Sequence, residues 1–167
     1  MVQMDKKSSV INSKFLSHGT LGSKDLTATR KFYEEFLGID VIQTSKISLM
    51  IRLGGNHIYV VVQDKNMLEM PRLNHNRIDV ENDLEVDKSH KAVLDTADTW
   101  GLYNISKPLE QHGTYSFHFW DQDGNCWEIL SNPVDGYNWI FNMGDLDGKG
   151  HWDPELRRSR FKTSMRN

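Results

Sequence analysis

Two tripeptides, Leu16-Ser17-His18 and Leu73-Asn74-His75, open two stretches in which the same order of elements recurs. In the first, Phe15–Leu21 reads as a strand stopped by Gly22-Ser23. Asp25 can cap a helix from about Leu26 to Leu37, with Leu26, Phe32, Tyr33, Phe36 and Leu37 at helical spacing and Gly38 where a C-cap belongs. Ile39–Gln43, Ile47–Leu53 and His57–Val62 follow as short β-branched strands, separated by Thr44-Ser45-Lys46 and Gly54-Gly55-Asn56. The second stretch reads Leu73–Val80 as a strand and Asp83 to about Leu102 as a helix, with Leu84, Val86, Ala92, Val93, Leu94 and Trp100 as candidate buried positions. Tyr103–Ser106 is a short strand before Pro108, and Thr114–Trp120 pairs with Asn125–Leu130 in a hairpin across Gln122-Asp123-Gly124. A tandem duplication of about 55 residues is the simplest account. The chain must then close two strand–helix–three-strand units around one core, an α+β architecture.

The expected layout is a loose arm at 1–12, a domain at 13–134 built from modules at about 13–64 and 72–134, and an arm at 135–167. This last arm is rich in Gly, Asp and aromatics before it turns basic. Trp139, Phe141 and Trp152 predict that it packs on the domain or on a partner subunit. The 167 residues carry a formal charge of −3, which gives no electrostatic case for nucleic acid. A single cysteine, Cys126, excludes a disulfide framework or a multi-cysteine metal site. The polar N-terminal residues lack the apolar region of a secretory signal, and no apolar run approaches the roughly 18 residues of a membrane span. The expectation is a soluble, cytoplasmic domain.

Strand parity supplies the chemistry. In the first strand His18 shares a face with Leu16 and Thr20, while Gly19 and Leu21 point at the helix layer. His75 holds the equivalent place in the second half, with Arg77 and Asp79 on its face. Glu128 sits among the apolar residues of Trp127-Glu128-Ile129-Leu130, where a carboxylate is costly unless paired. Two histidines at repeated positions and a buried carboxylate amount to one metal site with open coordination positions.

At this point the sequence resembles the vicinal oxygen chelate superfamily of glyoxalases, fosfomycin-resistance enzymes, bleomycin-binding proteins and extradiol dioxygenases. The resemblance spans Phe15 to Asn132. It is carried by Leu16-Ser17-His18, Asp25-Leu26, Arg30-Lys31-Phe32-Tyr33 and Leu37-Gly38, and by Ser116-Phe117-His118-Phe119-Trp120-Asp121-Gln122-Asp123-Gly124-Asn125-Cys126-Trp127-Glu128. It implies two βαβββ modules whose sheets curl into a cup around one divalent metal, with His18, His75 and Glu128 as ligands. In glyoxalase-like members the last strand of the first module supplies a fourth ligand, for which only His57 or Gln63 is available here.

Extradiol members carry Ser-Phe-Tyr ten residues before the glutamate; this chain has Ser116-Phe117-His118 there. The favoured expectation is therefore an Fe(II) enzyme that cleaves a catechol or related aromatic diol with O₂. Its candidate catalytic residues are His118, His112 and Tyr115, the last read first as core or wall and only then as catalyst. A three-residue hairpin loop would set His118 beside Glu128, and a two-residue turn would point it away. Arg77, which could instead pair with Asp79 or Glu81, and His57 are candidates for binding substrate. The alternatives are an isomerase, epimerase or thiol transferase using Mn(II), Zn(II) or Ni(II), and a metal-free protein that sequesters a small molecule. A homo-oligomer, most simply a dimer, is expected.

Overall fold

The structure, a computed structural model, describes residues 10, 11, 13, 15–111, 113–132, 136–138 and 141. The first module runs β1 (His18–Ser23), α1 (Leu26–Lys31), β2 (Asp40–Ser45), β3 (Ser48–Arg52) and β4 (Ile58–Gln63). The second runs β5 (Asn76–Val80), α2 (Asp83–Trp100), β6 (Leu109–Gln111), β7 (Thr114–Trp120) and β8 (Cys126–Ser131). The two sheets have the same strand order, β1-β4-β3-β2 and β5-β8-β7-β6. In each, the first strand lies parallel to the last, and every other pair is antiparallel. The repeat read from the sequence is thus a repeat of topology.

Asp25 caps α1 by accepting from the backbone N–H groups of Thr27 and Ala28. The helix then widens into a π-helical turn at Phe32–Phe36, where consecutive Phe32 and Tyr33 are both buried. Asn82 caps α2 at one end, and Gly101 ends it at φ 64°, the left-handed conformation that closes a helix. Of the positions expected to be buried on α2, Val86 and Val93 are, whereas Leu84 and Leu94 are 60% and 53% exposed. One apolar core joins Leu21, Phe32, Tyr33, Leu49, Ile51 and Val61 of the first module to Val86, Val93, Phe117, Phe119, Trp127 and Ile129 of the second.

The expected strand at Tyr103–Ser106 is not one. Tyr103 makes an isolated bridge to Trp120, and the Ser106 N–H donates to the His118 carbonyl, but Asn104 at φ 51° interrupts the ladder. Regular pairing along that edge resumes only after Pro108, as β6. The β7–β8 turn also locks the modules together. The Asn125 amide donates to the Gly22 carbonyl and accepts from its N–H, while Asp123 accepts from the Lys24 N–H and the Thr29 hydroxyl. Of the aromatics expected to pin the C-terminal arm, Phe141 is 71% exposed; Trp139 and Trp152 lie outside the described residues.

Candidate metal centre

Three strands set the site in one row. Register aligns Arg77 on β5 with Glu128 on β8, and Glu128 with His118 on β7. The hairpin loop has three residues, Asp121 N–H bonding to the Asn125 carbonyl, which is the geometry that turns His118 toward Glu128. His75, one residue before β5, reaches the same carboxylate. Its Nε2 lies 2.9 Å from Glu128 Oε2, and His118 Nε2 lies 3.6 Å from Oε1. The two imidazoles meet edge to face at 4.8 Å. Ligand atoms of His75, His118 and Glu128 all fall within 4.8 Å of one another, a group that can hold a metal ion.

The electrostatics explain why a carboxylate 2% exposed is tolerated on β8. Burial pushes Glu128 up, but the Ser116 hydroxyl, the Arg77 guanidinium and the neighbouring His118 and His75 rings outweigh it, and the group sits below the ordinary glutamate value. Gln111 on β6 donates to the Ser116 oxygen at 3.2 Å and steadies that support. His118 is pushed down to about 4, chiefly by burial and, despite the opposing pull of Glu128, further by Arg72, His75 and Arg77; it is neutral at pH 7.

The donor set fits a divalent cation. His75 Nδ1 donates to the Arg72 carbonyl at 2.5 Å, which leaves a lone pair on Nε2, the arrangement that an acceptor on the far nitrogen imposes on a ligating histidine. That lone pair and Glu128 Oε2 face each other with no hydrogen bond between them, and Oε2 is a buried oxygen without one. The Arg77 guanidinium now lies against both atoms: its Nε donates to His75 Nε2 at 2.8 Å and touches Glu128 Oε2. A cation already stands at the place the ligand atoms define.

The other expected residues fall into two groups. Arg77 and His57 line one cavity of about 510 Å³ where the sheets meet, over Ile39, Ile51, Tyr59 and Trp127. The carboxylate partner of Arg77 is Glu128 rather than Asp79 or Glu81, and its Nη1 donates to the Tyr137 hydroxyl at 2.8 Å. His57 donates to the Leu16 carbonyl and stacks edge-on with Tyr59. Tyr115 is not beside the cluster. It has the parity of Phe117 and Phe119, toward the helix layer, and its hydroxyl donates to Asp87 on α2. His18 is exposed at the start of β1, beside Ser17 Oγ at 3.1 Å, and is not among the clustered residues of its own chain. His112 lies outside the described residues. On β4 the residue matching Glu128 is Val60, and His57 and Gln63, the two expected there as a fourth ligand, have the opposite parity. The sequence reading missed Arg72 and Tyr137. Arg72 stands three residues before His75 in a turn that carried no motif, and only the folded chain shows what either one touches.

No family model matches this chain, and neither does any curated protein sequence. Solved structures do. A possible glyoxalase from Bacillus cereus superposes with a TM-score of 0.58 at 21% identity, covering 71% of this chain and 99% of that one. The fosfomycin resistance protein FosX from Listeria monocytogenes gives 0.58 at 21% identity over 74% of this chain and 98% of that one. A lactoylglutathione lyase from Agrobacterium tumefaciens gives 0.54 at 15% identity over 73% and 96%. The chain has the vicinal oxygen chelate fold: paired βαβββ modules with cupped sheets. No helix among the described residues is long and apolar enough to cross a membrane.

Proposed function

We propose that this chain is a divalent-metal-dependent enzyme of the glyoxalase and fosfomycin-resistance type, acting on an oxygen-bearing, anionic small molecule. The observation that carries the reading is that the His75 Nε2 lone pair and Oε2 of buried Glu128 converge on one point, where the Arg77 guanidinium stands against both. A bound divalent ion supplies Lewis acidity toward a substrate oxygen. The chain's residues do the rest. Ser116 and Arg77 keep Glu128 ionised, Arg72 orients His75, and neutral His118 offers a proton-bearing nitrogen within the same cluster. Arg72 and Arg77 place two positive charges beside the centre, which suits an anionic substrate. His57 and Arg77 belong to the polar wall of the adjoining cavity, with Arg52, Asn56 and Asp79.

The third ligand in this reading is His18 of a second copy. His18 shares its sheet face with Thr20, Ile58, Val60, Met50 and Ile42, of which Ile42 is 60% exposed and Ile58, Val60 and Met50 are half-buried. An apolar face of this kind favours association. A two-fold dimer would lay it over the matching face of the partner's second sheet and build two equivalent sites.

A second reading is extradiol cleavage with Fe(II) and O₂. A donor set of His18, His75 and Glu128 supports it, with His118 standing beside Glu128 where that group's tyrosine is expected. Reconstitution with Mn(II), Zn(II), Ni(II) or anaerobic Fe(II), followed by metal analysis and a substrate panel, separates the two. The first reading expects one ion per chain and oxygen-independent turnover of an epoxide, a thiol adduct or an epimerisable acid. Oxygen uptake with a yellow ring-opened catechol product, confined to the Fe(II) sample, would select the second. Tight small-molecule binding by protein that takes up no metal would overturn both.

A further inference from the structure

Arg72 touches both histidines of the cluster, and through different atoms. Its backbone carbonyl accepts from His75 Nδ1 at 2.5 Å. Its guanidinium, through Nη2, lies 3.4 Å from His118 Nδ1. A carbonyl can only accept and a guanidinium can only donate. The same residue therefore demands a proton on Nδ1 of one ring and a lone pair on Nδ1 of the other. We propose that Arg72 is a positioning residue that fixes the two imidazoles in opposite tautomers: His75 with its lone pair on Nε2, as metal ligand, and His118 with its proton on Nε2, as hydrogen-bond donor.

The rest of the geometry agrees. His75 Nε2 accepts from Arg77 Nε, as a lone-pair nitrogen must. His118 Nε2 points at Glu128 Oε1, 3.6 Å away, where a proton is attracted and a lone pair repelled. Were His118 to ligate through Nε2, its proton would move to Nδ1 and face the Arg72 guanidinium, donor against donor. Its backbone is also held, the His118 N–H donating to Ser106 Oγ and its carbonyl accepting from the Ser106 N–H, and the ring itself is buried at 3% exposure. Arg72 thus separates two residues that sequence and proximity make look alike. A donor on Nε2 sits where it can bond a substrate oxygen held at the centre, so this division of labour rests on the metal reading above.

The test reads the tautomers themselves and needs no metal. Long-range ¹H–¹⁵N correlation of ¹⁵N-histidine-labelled, metal-free full chain, assigned with His75→Gln and His118→Gln, should show His75 as the Nδ1–H form and His118 as the Nε2–H form. Arg72→Glu puts an acceptor where the guanidinium donates, and should add a proton at His118 Nδ1 to the one that Glu128 holds at Nε2, while His75, held by a backbone carbonyl, keeps its form. Arg72→Lys, which restores a cationic donor, should return His118 to Nε2–H. Wild-type His118 in the Nδ1–H form would overturn the assignment, as would an Arg72→Glu spectrum with His118 unchanged. Because Arg72 is exposed, Arg72→Glu should fold; the wild-type spectrum decides the matter even if it does not. Failure to bind metal with these tautomers in place would count against the metal reading alone.

Discussion

The two modules share a topology but differ where it matters. In the second sheet the row across β5, β8 and β7 is Arg77, Glu128, His118; in the first, the matching row across β1, β4 and β3 is Thr20, Val60, Met50. One sheet face carries buried charge and the other is apolar and half exposed. Every residue of β8 is buried, whereas β4 buries only Val61 fully. The duplicated scaffold supplies register, and substitutions at three equivalent positions decide which copy holds chemistry. The face without it keeps His18 and an uncovered apolar surface, so it is read as the half that completes another chain's site.

The largest expected effect lies in the charged row. Glu128→Ala should lower affinity for a divalent ion by at least about 100-fold, since it removes a ligand rather than an outer-shell partner. Calorimetry or metal analysis after dialysis would show it, and a Val60→Ala chain should retain its metal. Metal content in Glu128→Ala equal to wild type would end the distinction between the two rows.

Packing gives the next contrast. Phe117→Ala, at a fully buried position of β7, should cost about 3–5 kcal/mol in chemical denaturation. Ile42→Glu on the open face should leave monomer stability within about 0.5 kcal/mol, as surface substitutions do. It should instead abolish the dimer in sedimentation and, with it, most metal binding. A dimer that survives Ile42→Glu would show that this face is not the interface.

A third prediction concerns the turn that ties the modules. Asp121 accepts from the Asp123 and Asn125 N–H groups and from Trp127 Nε1, yet burial pushes its carboxyl up to about 6. The folded chain therefore holds this proton more tightly than the unfolded chain, whose value is near 3.8. The stabilisation is fully present below pH 4 and is lost as pH rises through 6, by on the order of 1–3 kcal/mol. Asp121→Asn should remove that falling component. Its own stability, whatever constant cost comes from Trp127 losing an acceptor, should decline less than wild type between pH 4 and 6; parallel profiles would contradict this. The smallest effect belongs to Arg52–Asp40, an ion pair 60% and 73% exposed at its side chains. Arg52→Ala should change stability by less than about 1 kcal/mol.

Much of this was legible beforehand, and the limits have physical causes. Element order followed from periodicity and turn chemistry, and the face shared by His18 and Thr20 followed from a strand period of two. The three-residue loop that turns His118 inward was one of two registers the turn residues allowed. Leu84 and Leu94 misled because helix periodicity marks an apolar stripe without stating how wide the neighbouring sheet is. Tyr115 takes its core reading rather than the catalytic one, because its neighbour in sequence, Ser116, faces the site while Tyr115 packs against the core. Arg72 was invisible because its role comes from a carbonyl and a guanidinium pointing at residues joined only by folding.

The central claim, a metal centre with Glu128 from one copy and His18 from another, is tested most directly by mixing chains. His18→Ala and Glu128→Ala should each bind almost no metal as separate homodimers. Unfolded together in equal amounts and refolded, they should regain about a quarter of wild-type metal, because half the dimers are mixed and each mixed dimer holds one intact site. No recovery on mixing would contradict the shared site, and full metal binding by His18→Ala alone would show that the second sheet holds the ion unaided.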